Sequence, residues 1–178
     1  QALDAATVAD NFFTTSTNNG RLDTNDFTAN VPIGWTVSVG AAGTDILKNT
    51  SAMYKGSACL EFQGTGGAVL SQLRYDLSGD LLPNTVYCFN LFIKDSGAGL
   101  TAGVLQADLY SVTGSAVMTD DAGNNNASTV AFSVTTGSFL PFTGFFRTPK
   151  ILPASYVFRL HITTALTSGA SMYIDHLC

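Results

Sequence analysis

Polar and aromatic side chains recur at every second position in three apolar segments of the chain. Neighbouring residues of a β-strand point to opposite faces of a sheet, so residues that are two positions apart share a face. Amide, carboxylate and guanidinium groups can pair with sugar hydroxyls, and an aromatic ring can stack on the apolar face of a pyranose. The residues that we predict to bind a ligand in this way are Asn90, Phe92, Gln106, Asp108, Tyr110, Arg159 and His161.

Two interpretations of this face stay open, because a solvated sheet surface and a shallow binding platform have the same alternation. On earlier predicted strands, the residues that point to the same side as this face are Glu61, Gln72 and Arg74, and they extend it. Trp35 is the only tryptophan and is predicted to lie in the core. Tyr110 and Phe92 therefore remain as the residues able to stack on a sugar, and loop tips are the next candidate site.

Catalysis requires convergent groups with matched roles, and the sequence offers few of them. It contains no Cys-x-x-Cys, His-x-x-x-His, Gly-x-Ser-x-Gly or phosphate-binding glycine motif. His161 and His176 are the only histidines, and both fall on late predicted strands. Glu61 with Asp108 is the one carboxylate pair that suggests a glycosidase. The sequence therefore predicts a protein that is not an enzyme.

The segments that carry these residues predict an all-β chain, since alternation with a step of two recurs and a helical step is never sustained. Nine strands separated by Gly, Asn and Ser turns are typical of two packed antiparallel sheets, so we predict a jelly-roll β-sandwich. The predicted strands span residues 35–39, 58–63, 69–75, 85–94, 104–111, 129–134, 139–147, 155–163 and 171–177. We predict one domain, with an irregular arm and one short strand over residues 1–30 and the sandwich over residues 31–178.

In three predicted strands, the alternate residues that point to the other side of the sheet are apolar, and we predict that they form the core. Its members are Tyr87, Phe89, Leu91 and Ile93, then Leu105, Ala107 and Leu109, and then Phe158, Leu160 and Ile162. With 46% hydrophobic and 12% charged residues, the 178-residue chain has the composition of a globular protein.

Charge and hydropathy exclude two classes of partner. The net charge is −5 and the eight Lys and Arg residues are scattered singly, whereas nucleic-acid binding draws on clustered cations. No apolar run approaches the roughly 20 residues of a membrane-spanning helix, so no membrane insertion is predicted. The chain begins at Gln1 and stops in a predicted strand, and we expect it to be a mature fragment or a piece of a longer protein.

Three cysteines, Cys59, Cys88 and Cys178, make an odd number. Cys59 and Cys88 can form a disulfide only if their strands are neighbours in a sheet. The alternative is that both are buried free thiols.

Four sequence segments occur in an order that resembles one known group of domains. They run from Pro32 to Val37, Lys55 to Phe62, Leu82 to Phe89 and Met172 to Leu177. Gly34-Trp35, Gly56-Ser57, the Leu-Pro-Asn-Thr-Val-Tyr entry to a strand and the terminal Tyr-Ile-Asp strand resemble jelly-roll carbohydrate-binding modules and related galactose-binding-like domains. The resemblance covers almost the whole chain after residue 31 and implies a β-sandwich that binds sugars.

The resemblance also implies a metal site. In that group the Asp of the terminal strand, here Asp175, helps to hold a structural calcium ion together with oxygen atoms from the N-terminal arm. The Phe-Glu pair that supplies the partner carboxylate is missing here, and Asp10, Asp23 and Asp26 are its candidate substitutes. No other cofactor is predicted.

Similar domains occur in phage tail, receptor-binding and capsid-decorating proteins. We therefore expect a non-catalytic attachment module of a larger extracellular or virion surface protein, with a glycan or polysaccharide as its partner. The alternative is a structural virion module that binds capsid, tail or fibre subunits, or a second copy of itself as a homo-oligomer, without sugar.

Overall fold

The computed structural model describes residues 22–96, 104–129 and 137–176 of the chain. These ranges form a 3₁₀ turn at Thr24–Asp26 and thirteen strands. The strands are β1 Phe27–Thr28, β2 Val31–Pro32, β3 Trp35–Val39, β4 Ile46–Asn49, β5 Cys59–Gln63, β6 Gln72–Asp76, β7 Val86–Asp95, β8 Leu105–Ser111, β9 Ala116–Val117, β10 Ala127–Thr129, β11 Leu140–Arg147, β12 Tyr156–Ile162 and β13 Ser171–Asp175. Within these ranges, no helix has the length and apolar character that a membrane span requires.

Two antiparallel sheets form the sandwich. The first sheet has the strand order β10-β8-β12-β6-β3, with β9 also paired to β8, and the second has the order β11-β7-β13-β5-β4. Successive strands change sheet between β3 and β4, β5 and β6, β6 and β7, β7 and β8, β10 and β11, β11 and β12, and β12 and β13. The predicted all-β, two-sheet fold is confirmed. β1 and β2 form a separate short ribbon at the end of the predicted arm, whose earlier residues lie outside the described ranges.

Most predicted strands are present, with ends displaced by up to three residues. The structure adds β4, which the sequence prediction missed because its four residues, Ile-Leu-Lys-Asn, show no alternation. β4 is an edge strand, and its conformation depends on its pairing with β5. The strand predicted over residues 129–134 is seen as β10, which ends at Thr129, and residues 130–134 lie outside the described ranges.

The core lies between the sheets and contains the predicted inward faces of β7, β8 and β12. Phe89, Leu91 and Ile93 are each at most 2% exposed, and Phe158, Leu160 and Ile162 at most 1%. Trp35 is also buried, as predicted, with its ring centroid 5.5 Å from that of Tyr75 and 6.1 Å from that of Phe158. Since every second side chain of β7, β8 and β12 is buried between the sheets, the side chains between them point out of the sandwich.

Strand order decides the state of two cysteines. Cys59 lies on β5 and Cys88 on β7, and β13 runs between those strands, so the two thiols are free. The prediction of buried thiols holds for Cys59 but is wrong for Cys88, which is exposed on the outer face of the second sheet.

We expect a thiol reagent to modify Cys88 in the folded protein and Cys59 only after unfolding. Burial, with the Asp175 and Glu61 carboxylates nearby, raises the pKa of Cys59 to about 12, so the reactive thiolate is scarce near neutral pH. Labelling followed by mass spectrometry of the Cys178→Ser variant, with Cys88→Ser added as the control, tests this. Native-state modification of Cys59 would contradict it.

Candidate ligand-binding face

Seven side chains lie next to one another on the outer side of the first sheet, and we call this group the polar face. They are Gln72 and Arg74 on β6, Arg159 and His161 on β12, and Gln106, Asp108 and Tyr110 on β8. β12 lies at the centre, so Arg159 is opposite Arg74 on one side and Asp108 on the other. His161 is likewise opposite Gln72 and Gln106. The structure therefore brings together five of the seven predicted ligand-binding residues.

Asp108 is the centre of the hydrogen-bond network in this face. Arg159 donates to both of its carboxylate oxygens, with Nε 2.7 Å from Oδ1 and Nη2 2.6 Å from Oδ2. The side-chain amide of Gln106 donates to Oδ2 at 2.9 Å, and Nε2 of His161 lies 3.1 Å from the same oxygen. Only 1% of Asp108 is exposed. Its carboxylate is beyond the reach of a ligand and acts on the face by positioning its neighbours.

The pKa of Asp108 reflects two opposing effects. Burial raises the pKa of the carboxyl group, while the hydrogen bonds from His161, Arg159 and Gln106 and the charge of Arg159 lower it. The hydrogen bonds and the charge prevail, so the pKa lies below the ordinary value of 3.8. Asp108 is therefore a carboxylate at neutral pH, as its ion pair with Arg159 requires.

Tyr110 covers the buried ion pair. The guanidinium carbon of Arg159 lies 3.8 Å from the centroid of the Tyr110 ring, and the Arg159 side chain is 11% exposed. Arg159 is thus held between the Asp108 carboxylate and the Tyr110 ring, which itself remains half-buried. The guanidinium carbon of Arg74 lies 5.4 Å from the same ring centroid. Tyr110 is the aromatic surface of the polar face.

A groove of about 820 Å³ continues the polar face beyond the ends of β3 and β12. Gln72, Arg159 and His161 belong to both the groove and the polar face, while Val39 and Leu70 add an apolar wall. Val39 and Leu70 are each 43% exposed. Sequence reasoning missed this wall because it assigned Leu70 to a regular strand, whereas β6 begins two residues later.

Two of the predicted site residues lie elsewhere, which corrects the prediction of a single face. Asn90 and Phe92 are on β7, and Glu61 is on β5, all in the second sheet. Asn90 accepts a hydrogen bond from the Thr143 hydroxyl at 2.6 Å. Phe92 stacks on Tyr54, with ring centroids 3.9 Å apart and an interplanar angle of 12°. The alternation of residues along a strand distinguishes inward from outward side chains, but it does not predict which of the two sheets the strand joins.

Asp175 is fully buried and accepts hydrogen bonds from the backbone. The amides of Tyr54 and Lys55 donate to Oδ2 at 2.8 and 3.0 Å, and the amide of His176 donates to Oδ1 at 2.7 Å. Burial raises the pKa of Asp175, and these amide hydrogen bonds partly offset the increase. The carboxylate therefore ties the loop before β5 to the last strand.

This arrangement around Asp175 does not fit a calcium ion, which binds oxygen atoms and not N–H groups. The carboxylates of Asp23 and Asp26 also accept hydrogen bonds, from Ser57 and from the Asp23 amide respectively. No group of three or more His, Cys, Asp or Glu side chains in the described residues could hold a metal. Asp10, the third candidate partner of Asp175, lies outside those residues, so its part in the predicted calcium site stays a prediction.

The sequence matches no protein-family model and no curated protein. The fold, however, is similar to that of solved carbohydrate-binding modules. One is a family 16 module, which shares 18% identity and a TM-score of 0.53 over 79% of this chain and 88% of that one. Another is a family 22 xylan-binding domain from Paenibacillus barcinonensis, with 19% identity and a TM-score of 0.54 over 81% and 83%.

A third similar structure is a family 61 module in complex with β-1,4-galactotriose, with 16% identity and a TM-score of 0.52 over 80% of this chain and 85% of that one. The same fold also occurs in an arabinofuranosidase, of which this chain covers 26%, and in a cyclase from Fischerella sp. TAU. At these identities the similarity concerns the fold. The β-sandwich that the sequence resemblance implied is therefore confirmed.

Proposed function

We propose that this protein is a non-catalytic module that binds a glycan on the polar face of its first sheet. The observation that carries the proposal is the layered arrangement of Asp108, Arg159 and Tyr110. The buried carboxylate holds the guanidinium, and the guanidinium supports one face of the aromatic ring. The ring is only half-buried, and its exposed part can stack on a pyranose.

This arrangement is preorganised, which favours binding because little side-chain freedom remains to be lost. Arg159 has two hydrogen bonds to Asp108, and Gln106 and His161 contact the same carboxylate. Gln72 accepts hydrogen bonds from Ser38 and from Arg74. Amide, imidazole and guanidinium groups thus flank the ring in defined positions, where they can pair with sugar hydroxyls.

The groove extends the polar face, so that more than one sugar ring can be accommodated. It begins beside Gln72, Arg159 and His161 and continues along Val39 and Leu70. A polysaccharide that stacks on Tyr110 can extend into it and place further rings against the apolar wall. Sandwich modules of similar size that are described as xylan-binding or as galactotriose complexes support a sugar as the ligand.

A non-catalytic role is supported by the positions of the carboxylates. Glu61 is on β5 of the second sheet and Asp108 is on β8 of the first, so the pair suggested by the sequence does not converge on one site. Glu61 is 6% exposed and accepts a hydrogen bond from Asn49 at 2.8 Å. Neither carboxylate is placed to act as an acid or a nucleophile on a sugar bound at the polar face.

We further propose that the module serves as an attachment domain of a larger extracellular protein, as its similarity in size and fold to carbohydrate-binding modules suggests. Location on a virion surface, and assembly with capsid, tail or fibre subunits or with a second copy, stay predictions. The mass of the protein in solution tests the homo-oligomer.

Binding of the purified protein to a panel of immobilised polysaccharides tests the proposal. The panel includes neutral and acidic polymers and is measured with and without a calcium chelator. Saturable binding to a defined polymer, competed by its soluble oligosaccharides, is the expected result. Absence of binding across the panel would count against the function proposed here.

Tyr110→Ala is expected to weaken glycan binding by about tenfold, which corresponds to about 1.4 kcal/mol, because the stacking surface is removed. Tyr110→Phe keeps the ring and should bind nearly as well as the wild type. Phe145→Ala is the matched control, since this aromatic residue is 61% exposed on the second sheet. Calorimetric titration measures all three variants, and an equal effect of Tyr110→Ala and Phe145→Ala would disprove the site.

A further inference from the structure

We infer that the polar face recognises a carboxylate on its glycan, and that Arg74 is the residue that binds it. The inference rests on the proposed glycan-binding function and adds the chemical class of the sugar, an acidic one such as a uronate. It starts from the unequal surroundings of the two arginines in the face. Arg159 forms an ion pair with the buried Asp108, and Arg74 forms no ion pair with the part of the chain that the structure describes.

Among the described residues, the Arg74 guanidinium donates one side-chain hydrogen bond. Its Nε donates to the Gln72 side-chain oxygen at 3.1 Å, and its guanidinium carbon lies 5.4 Å from the Tyr110 ring centroid. Among the described residues, no Asp or Glu forms an ion pair with Arg74. The planar fork of a guanidinium matches a carboxylate with two parallel hydrogen bonds, so the terminal nitrogens are suited to such a ligand.

The two carboxylates nearest to Arg74 along the strands of this sheet, Asp108 and Asp76, have other hydrogen-bond partners. Asp108 is shared by Arg159 and His161, and it is too deeply buried to reach the outer layer of the face. Asp76, two residues after Arg74, accepts a hydrogen bond from the amide of Ser78 in the turn that follows β6. Among the described residues, no carboxylate therefore pairs directly with the Arg74 guanidinium.

Desolvation then favours an acidic ligand over a neutral one. Arg74 is half-buried, and a sugar stacked on Tyr110 would remove water from its guanidinium. Displacing that water with hydroxyl groups leaves a charge with weaker partners, which costs free energy, whereas a carboxylate restores a charge-assisted pair. The ligand that best offsets the desolvation of Arg74 carries a negative charge next to its stacked ring.

Binding to matched polysaccharide pairs tests this inference. The pairs are polygalacturonate with its methyl ester, and glucuronoxylan with unsubstituted xylan. We expect the wild type to bind the carboxylated member of at least one pair about tenfold or more tightly, in line with the value of a charged hydrogen-bonded contact. Arg74→Gln should abolish that preference, and Arg74→Lys should restore part of it.

Lys150→Gln is the matched control, because it removes one positive charge from an exposed residue between β11 and β12. It should leave the preference for the carboxylated polymer unchanged. Dextran sulfate serves as a polyanion without carboxylates. Equal losses in Arg74→Gln and Lys150→Gln, or equal affinity for dextran sulfate, would indicate general charge attraction and would overturn the inference.

Two further results separate this inference from the proposed function. Binding of the neutral member of each pair as tightly as its acidic partner would overturn the role of Arg74 and leave the glycan-binding function in place. Failure to bind any neutral or acidic polymer would reject both. Thermal unfolding of each variant confirms that the compared proteins are folded.

Discussion

Asp108→Asn is expected to lower the free energy of unfolding by about 3 kcal/mol, since removal of one partner from a buried ion pair leaves the other charge uncompensated. Arg159 is 11% exposed in its side chain and has both of its described hydrogen bonds to Asp108. The asparagine amide would also direct N–H groups toward the donors that now surround the carboxylate. For a chain of this size the loss corresponds to a fall in Tm of about 6–12 °C.

The effect of Asp108→Asn should depend on pH. The pKa of Asp108 is depressed in the folded state, so its carboxylate contributes stability that is fully present above the unfolded value and is lost as the pH falls through the folded value. The difference in stability between wild type and variant is therefore largest near neutral pH. It should shrink at a pH well below 3.8, the ordinary value for an aspartate.

Urea unfolding of wild type and variant near neutral pH and in acid measures this difference. Asp80→Asn is the control, because Asp80 is exposed and a surface substitution of this kind changes stability by less than about 0.5 kcal/mol. Glycan binding by Asp108→Asn should also weaken, since Arg159 and the Tyr110 ring lose their support. An Asp108→Asn protein as stable as Asp80→Asn would show that the buried ion pair does not organise the polar face.

Gly144→Ala is expected to destabilise the second sheet by about 3 kcal/mol, at the upper end of the usual cost of overpacking a core. A Cβ atom at Gly144 would lie 2.1 Å from Cζ and 2.3 Å from Cε1 of Phe89, the residue directly opposite on β7. The Phe89 ring is 2% exposed and has edge-to-face contacts with Phe142 and Phe158 at 5.8 and 5.2 Å. It can move aside only by disturbing these neighbours.

Gly67→Ala is the matched control for this substitution. A Cβ atom there would meet only the Val69 side chain at 3.6 Å, an ordinary contact, and the position is exposed. We expect Gly67→Ala to unfold within about 1 °C of the wild type and Gly144→Ala to unfold about 6 °C or more below it. Calorimetry measures both, and similar Tm values for the two variants would contradict the packing of Phe89 over Gly144.

Much of the fold could be predicted from local patterns. The alternation in β7, β8 and β12 identified both the strands and their inward residues, because a strand with one buried face must alternate with a step of two. Where the local pattern is weak, prediction failed. β4 has four residues without alternation, and it is a strand because β5 offers it backbone hydrogen bonds.

The candidate site was predictable in part, for a related reason. Outward polar residues could be recognised on each strand, and five of the seven predicted ligand-binding residues do meet on the first sheet. Asn90 and Phe92 were grouped with them because alternation identifies the outward residues of one strand and carries no information about the sheet to which that strand belongs. The contacts of Phe92 with Tyr54 and of Asp175 with the amides of Tyr54 and Lys55 join residues far apart in sequence, and no local pattern carries them.

The sequence by itself therefore determined that this chain is an all-β sandwich, and which side of each main strand faces the core. These properties follow from the alternation of apolar and polar residues and from the burial of apolar surface, and both can be recognised within a single segment of the sequence. Only the tertiary structure decided which strands are neighbours. That order placed β12 between β6 and β8, buried Asp108 beneath Arg159 and Tyr110, and left Arg74 without an acidic partner among the described residues, because strand pairing acts between segments that are distant along the chain.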